Sequence, residues 1–226
     1  MKKITFLLFT ISLITFKTTA QESKNKFGIQ GGLNYSSFRG YDSFTNDKAG
    51  FAYVFGLSFQ HQIQENLSIK ADLNYERKIQ NTKGTVEILE PTFPTGPMEE
   101  NYHFKTTAYL NYVVLPIMIK YNFSGDKSFY INGGPYLGYL LKSGIKSKSN
   151  IPGVINADDE DTNRKKSLDF GLSAGIGKEF KLDTNHQIYV EIRENLGLQN
   201  ISKTEVINDG TIKTNSLNLL VGFTFN

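Results

Sequence analysis

No cysteine occurs among the 226 residues, so the chain has no disulfides and no cysteine to carry a lipoprotein anchor. Beyond residue 20 there is no apolar run near the roughly 20 residues a transmembrane helix needs. Excess charge of one sign is also missing. The formal net charge is +3, but residues 1–20 hold Lys2, Lys3 and Lys17 and no acid. Cleavage after Ala20 therefore leaves 3 − 3 = 0, and the basic face that nucleic acid requires has no basis. The glycines of GLSAGIG (171–177) fall on a strand pattern rather than opening a helix, so neither a nucleotide loop nor, at Ser173, a strand-to-helix nucleophile elbow follows.

The N-terminus does carry a signal. Lys2 and Lys3 precede an apolar run from Ile4 to Phe16, and Thr18 and Ala20 supply small residues before a cleavage site. About 13 apolar residues are too few to span a bilayer. Residues 1–20 thus read as a secretory signal peptide, and 21–226 as one domain.

That domain is built of runs alternating at period two. The pattern is set by residues 109–141, where Val113, Leu115, Ile117, Ile119 and Tyr121 share one face and Val114, Met118 and Lys120 the other. A turn at Ser124–Ser128 follows. The return strand sends Ile131, Leu137, Tyr139 and Leu141 one way and Asn132, Gly134, Tyr136 and Gly138 the other. In the strand at 67–79, five apolar residues, Leu67, Ile69, Ala71, Leu73 and Tyr75, alternate with Ser68, Lys70, Asp72, Asn74 and Glu76. Similar runs cover 27–38, 49–62, 167–182, 188–200 and a last strand through Leu217, Leu219, Val221, Phe223 and Phe225. Short turns (64–66, 124–128, 183–187) alternate with long loops (39–48, 80–107, 142–166, 201–214), the first long one of these last three broken by Pro91, Pro94 and Pro97. Alternation, even strand number and unequal connections predict an all-β, eight-stranded, antiparallel up-and-down transmembrane β-barrel with both termini on the periplasmic side.

Nine charges fall on the inward face: Lys70, Asp72, Glu76, Lys78, Lys120, Asp169, Glu179, Glu191 and Arg193. Six of them, Lys70, Asp72, Lys120, Glu179, Glu191 and Arg193, lie near the short-turn ends and form the candidate lumen charge network. Eight strands enclose a lumen only wide enough for side chains, so a salt-bridge plug outweighs an ion path or an open porin. Asp158, Asp159, Glu160, Asp161 and Asn163 lack the order of a calcium loop and read as solvated surface. His61, His103 and His186 have no metal-ligand spacing, although His61 and His186 fall at the same rim. Tyr35, Phe38, Phe59, Tyr75, Tyr109, Phe123, Phe129, Phe180 and Tyr189 read as interfacial girdles. No cofactor is expected.

Three segments, NYVVLPIMIKYNF, FYINGGPYLGYLL and YVEIRENLGLQNI, resemble the PorT-like outer-membrane β-barrel family of Bacteroidota. Tyr112, Pro116, Lys120 and Tyr121 fit its first pattern. Asn132, Gly134, Pro135, Tyr136, Gly138 and Tyr139 fit its second, and Arg193, Gly197, Leu198, Asn200 and Ile201 its third. The resemblance implies an eight-stranded outer-membrane barrel and, through the founding member, a link to protein secretion. Val114 stands where the family usually has an inward glutamate, and Glu194 where a lipid-facing tyrosine is usual; Glu194 is expected near an interface. The last strand resembles the C-terminal insertion signal of outer-membrane proteins, with Asn226 after Phe225. The expected partners are outer-membrane lipid, the barrel-insertion machinery and other envelope proteins. The rival reading is a lipocalin-like periplasmic carrier with Phe55, Leu57, Phe223 and Phe225 turned inward around a ligand. A membrane-embedded enzyme would need His103 beside loop acids.

Overall fold

The computed structural model describes residues 24–41, 46–90, 98–123, 128–150 and 156–225. The signal segment, Pro91, Pro94, Pro97, most of the 124–128 turn and Asn226 lie outside them. Nine strands form: β1 Asn25–Arg39, β2 Asn46–Gln64, β3 Leu67–Glu90, β4 Met98–Asn122, β5 Phe129–Ser149, β6 Ala157–Glu160, β7 Leu168–Lys181, β8 His186–Gly197 and β9 Lys213–Phe225. Eight of them pair antiparallel in the order β4-β3-β2-β1-β9-β8-β7-β5, and β5 closes back onto β4. In lipid an open sheet edge would strand unpaired backbone groups, and the ring removes every such edge. β6 is a short addition outside the ring, paired only to β5.

The alternation of the sequence becomes a sidedness of the wall. Ile29, Leu33, Phe55, Leu57, Leu73, Ile119, Leu137, Phe170, Ile176, Leu219 and Val221 all point outward and stay exposed, making a continuous apolar belt. The inward positions of the same strands are polar and buried. A ligand carrier requires the reverse. Leu57 is 60% exposed and Phe55 54%, so the residues that would line its cavity stand outside. Aromatic rings gather at both edges of the belt. Phe27 packs on Phe59 at 5.2 Å at the short-turn end, and Phe55 stacks on Tyr75 at 5.2 Å toward the other.

Three girdle assignments are corrected. Tyr189 points into the lumen and is 2% exposed. Phe38 also turns inward, against a buried apolar cluster. Tyr109 is outward but covered, with Arg77 at 4.5 Å and Lys146 at 5.7 Å from its ring centroid.

Much of the loops expected at 80–107 and 142–166 is strand. β3 and β4 stay paired out to Glu90↔Met98, β5 follows β4 to Phe104↔Ser149, and β2 joins through Asn46↔Lys83. The other half of the ring stops earlier, at Arg39, Gly197 and Lys213. A wing made of β2 to β6 therefore rises above one side of the barrel. Two register shifts, at Ala49/Val54 and Asn111/Tyr112, mark bulges where the wing leaves the barrel wall.

β6 is held on the wing by charge. Lys146 lies 3.0 Å from Asp158 and Lys142 lies 3.2 Å from Glu160, and each lysine holds its carboxyl below the usual carboxylate range. Nearby, burial pushes the Tyr41 hydroxyl up to about 12 while it donates to Asp47 at 2.8 Å.

At the seam between the first and last strands, a Cβ on Gly32 would sit 1.8 Å from the Leu219 carbonyl oxygen, whereas one on Gly31 would meet nothing nearer than 3.7 Å. Gly32→Ala is expected to weaken closure by about 2 kcal/mol or more and Gly31→Ala to leave it intact, as read by heat-modifiable gel mobility. Because their pKa values are lowered in the folded state, Asp158 and Glu160 support β6 docking above the ordinary carboxylate range near pH 4. That support is lost as pH falls through the depressed values. Amide exchange in β6 should therefore rise relative to β7 on acidification.

Candidate functional site

The lumen is the most densely organised part of the molecule. Lys70 and Asp72 project from β3, Glu191 and Arg193 from β8, and these strands stand opposite one another in the ring. Lys70 Nζ lies 2.7 Å from Glu191 Oε2 and 3.8 Å from Asp72. Arg193 Nη1 lies 2.8 Å from Asp72, and its Nε donates to Glu191 Oε1 at 2.5 Å. Two bases and two acids thus span the barrel's diameter, all four at most 3% exposed. Tyr130 donates to Glu191 at 2.7 Å, and the Tyr189 ring lies under Lys70 at 4.5 Å. Tyr189 in turn donates to Gln30 at 2.5 Å, and Gln30 to Asn74 at 2.6 Å.

Lys120 and Glu179 pair separately, nearer the short-turn rim. Lys120 also donates to Gln60 at 3.0 Å, and Asn122 to Glu179 at 3.0 Å. The Tyr130 ring, 4.2 Å from Lys120 Nζ, links this pair to the cluster above. The six candidate network residues therefore form a quartet and a pair joined through one tyrosine.

The remaining inward charges occupy the next levels. Glu76 accepts from Asn34 at 2.9 Å, Ser216 at 2.5 Å and Asn195 at 3.0 Å, so neutral donors stabilise a fully buried carboxylate. Lys78 is 3.7 Å from Asp169 and donates to Thr214 at 3.0 Å, while Thr214 donates to Asp169 at 2.7 Å. Tyr112 and Tyr136 lie 5.4 and 5.3 Å from Lys78 Nζ.

At the levels of Glu76 and Lys78 and beyond them, the β4–β5 side of the lumen holds an apolar cap that sequence reasoning missed. Leu110, Tyr112, Val114, Tyr136, Leu140 and Ile201 form one buried cluster, with Phe38 and Ile212 against it. Ile201 comes from the β8–β9 connection, expected to be a plain external loop, and is fully buried. The signal was present in Leu110, Tyr112 and Val114, apolar or aromatic residues at successive inward positions of β4.

The other motif positions build the wall. Cβ atoms on Gly134 and Gly197 would meet the Ile117 carbonyl oxygen at 2.1 Å and Thr214 Oγ1 at 2.6 Å. Pro116 is buried, Pro135 faces outward, and Tyr136 donates to Asp169 at 3.2 Å. Neither polar atom of the buried Asn132 amide has a hydrogen-bond partner among the described residues. Glu194 is half-buried three residues before the end of β8, opposite Leu217.

The remaining candidates find separate partners. His61 contacts Asn25 at 2.7 Å, and His186 contacts Asp183 at 2.9 Å and stacks on Phe223. The Asn185 backbone N–H and then His186 hold the Asp183 carboxyl below its usual range. Asp158, Glu160 and Asp161 are taken up by Lys146, Lys142 and Lys165, and no group of three or more metal-ligating side chains occurs among the described residues. His103 contacts the Thr85 hydroxyl at 3.0 Å. It borders an open groove of about 730 Å³ on the wing, lined by lysines and, among the described residues, by no carboxylate.

Residues 19–203 match the family described as the outer membrane protein beta-barrel domain. No curated protein matches the chain. Among solved structures, Ail, the attachment invasion locus protein of Yersinia pestis, is 12% identical with a TM-score of 0.41, over 89% of this chain and 99% of that one. OprG of Pseudomonas aeruginosa is 12% identical with a TM-score of 0.41, over 92% and 100%. The outer membrane protease OmpT of Escherichia coli is 10% identical with a TM-score of 0.41, over 93% and 99%. The closed ring, the apolar belt and the family match converge: this chain belongs to the outer membrane protein beta-barrel domain family and is an outer-membrane protein.

Proposed function

We propose that the chain is exported by the leader at 1–20 and inserted as the domain 21–226 by the barrel-insertion machinery. In the outer membrane it serves as a closed, non-conducting barrel that presents its wing to partners outside. The observation that carries this reading is the quartet of Lys70, Asp72, Glu191 and Arg193. Opposite strands touch through a single layer of side chains, which leaves no aqueous path beside them. The apolar cap repeats the closure at the wing end.

With the axis filled, the lumen network acts as a structural plug and function passes to the exposed parts. The role is structural or interactive rather than catalytic, a reading supported by the lysines and hydroxyl that surround His103. The resemblance to PorT-like barrels favours protein secretion as the process served, with other envelope proteins as the partners. The motif residues themselves support only the wall.

Purified protein in planar bilayers should show no stepwise conductance; steps of porin size would overturn the plug. Arg193→Met strips Asp72 and Glu191 of their shared cation and is expected to destabilise the barrel by about 3–5 kcal/mol in urea unfolding from vesicles. Lys146→Gln, in an exposed pair, should leave the urea midpoint essentially unchanged. The chain lacks cysteine, so a Lys105→Cys variant offers one thiol. A membrane-impermeant maleimide should label it on whole cells, and labelling only after lysis would place the wing inside.

A further inference from the structure

The outer face of the wing carries a charge arrangement that its fold does not balance. Lys83 on β3 stands directly opposite Lys105 on β4, and Lys105 directly opposite Lys148 on β5. All three side chains are exposed. Adjacent strands lie about 4.8 Å apart, so three ammonium groups form a row about 10 Å long. Like charges directly across a sheet destabilise it, and the expected remedy is a carboxylate nearby.

That remedy is supplied one and three ranks lower and stops there. Lys146 pairs with Asp158 and Lys142 with Glu160, both acids from β6. Beyond the Ser147↔Ala157 pair β6 ends, and Asn156 next to it accepts from the Ser149 backbone N–H at 3.2 Å. Asp47 on β2 turns to the other side of the sheet, where Thr82 and Tyr41 donate to it. Among the described residues, none of Lys83, Lys105 and Lys148 has an acidic partner. Lys48 extends the basic strip from β2, one rank lower.

The same row floors the open groove of about 730 Å³, whose walls add His103, Thr85, Asn150 and Asn156. Amides, a hydroxyl and an imidazole are the groups that bond sugar hydroxyls, and ammonium groups at strand spacing suit one negative charge per sugar. Lys83 lies six residues beyond Arg77, which stacks on Tyr109 at the top of the belt. At about 3.3 Å per residue this is roughly 20 Å along the strand, beyond the headgroup layer of a bilayer.

We propose that this lysine row binds a linear acidic polysaccharide outside the cell. The proposal rests on the outward-facing wing of the preceding reading. That reading is tested separately by whole-cell labelling, so a failure of binding by purified protein is distinguishable from a wrongly oriented wing.

The full chain, refolded into phosphatidylcholine nanodiscs, is tested on immobilised oligogalacturonate, with neutral dextran as reference. Oligogalacturonate should bind and weaken as salt rises, and dextran should not. K83Q/K105Q/K148Q should lower affinity at least about tenfold, while K83R/K105R/K148R and K142Q/K146Q stay within about threefold of the unsubstituted chain. Heat-modifiable mobility confirms that each variant is folded, which exposed positions outside the barrel should not disturb. Undiminished binding by the glutamine variant, equal binding to dextran, or no binding at all would overturn the proposal. Lysine-dependent capture of phosphatidylglycerol vesicles without oligogalacturonate binding would overturn it in favour of a lipid headgroup.

Discussion

Eight strands closed in a ring leave room on the axis for side chains and for little else. Inward charges must therefore be answered by other inward residues, within the narrow reach of the lumen. Membrane closure demands the ring, and the ring demands a polar interior that neutralises itself. Lys70 and Arg193 answer Asp72 and Glu191 across the full diameter. Glu76, with no cation at bonding distance among the described residues, is instead held by three neutral donors from β1, β8 and β9. Removing one partner from such a cluster leaves a buried charge uncompensated, which is why the lumen is the least substitutable part of the molecule.

The two ends of the lumen close by different physics. Toward the short turns, ion pairs and amides fill the axis, with Tyr130 joining the Lys120–Glu179 pair to the quartet. Toward the wing, the closure is apolar, and Ile201 enters from the β8–β9 connection to complete it. Val114 belongs to that second regime. It shares one buried cluster with Leu110, Tyr112 and Leu140. The wing is a large surface among the described residues that lies outside both lumen and belt, and the proposed role is placed there for that reason.

Parts of this arrangement were legible in the residues. Leu67 to Glu76 alternates strictly because one side of β3 meets lipid and the other a wet interior, and that contrast writes itself into the sequence. The same parity put all nine charges inward. It failed where the contrast ends. Above the belt no lipid meets the outer side of β3 and β4, so the apolar alternation lapses and residues 80–90 and 98–107 read as loop, although their backbones stay paired. At Tyr189 and Phe38 the parity pointed inward, where the structure has them, and the girdle reading of an aromatic near a strand end was what failed.

Which side of the wall each residue faces is a local property of an extended chain between two solvents, and the sequence alone determined it, along with the eight strands of the ring. Which lysine meets which carboxylate was decided only by the tertiary structure. Those partners sit on opposite strands, and their heights match only through the stagger accumulated around the closed ring. The lysine row on the wing has the same origin: Lys83, Lys105 and Lys148 are far apart in the chain, and only the paired register of β3, β4 and β5 sets them side by side.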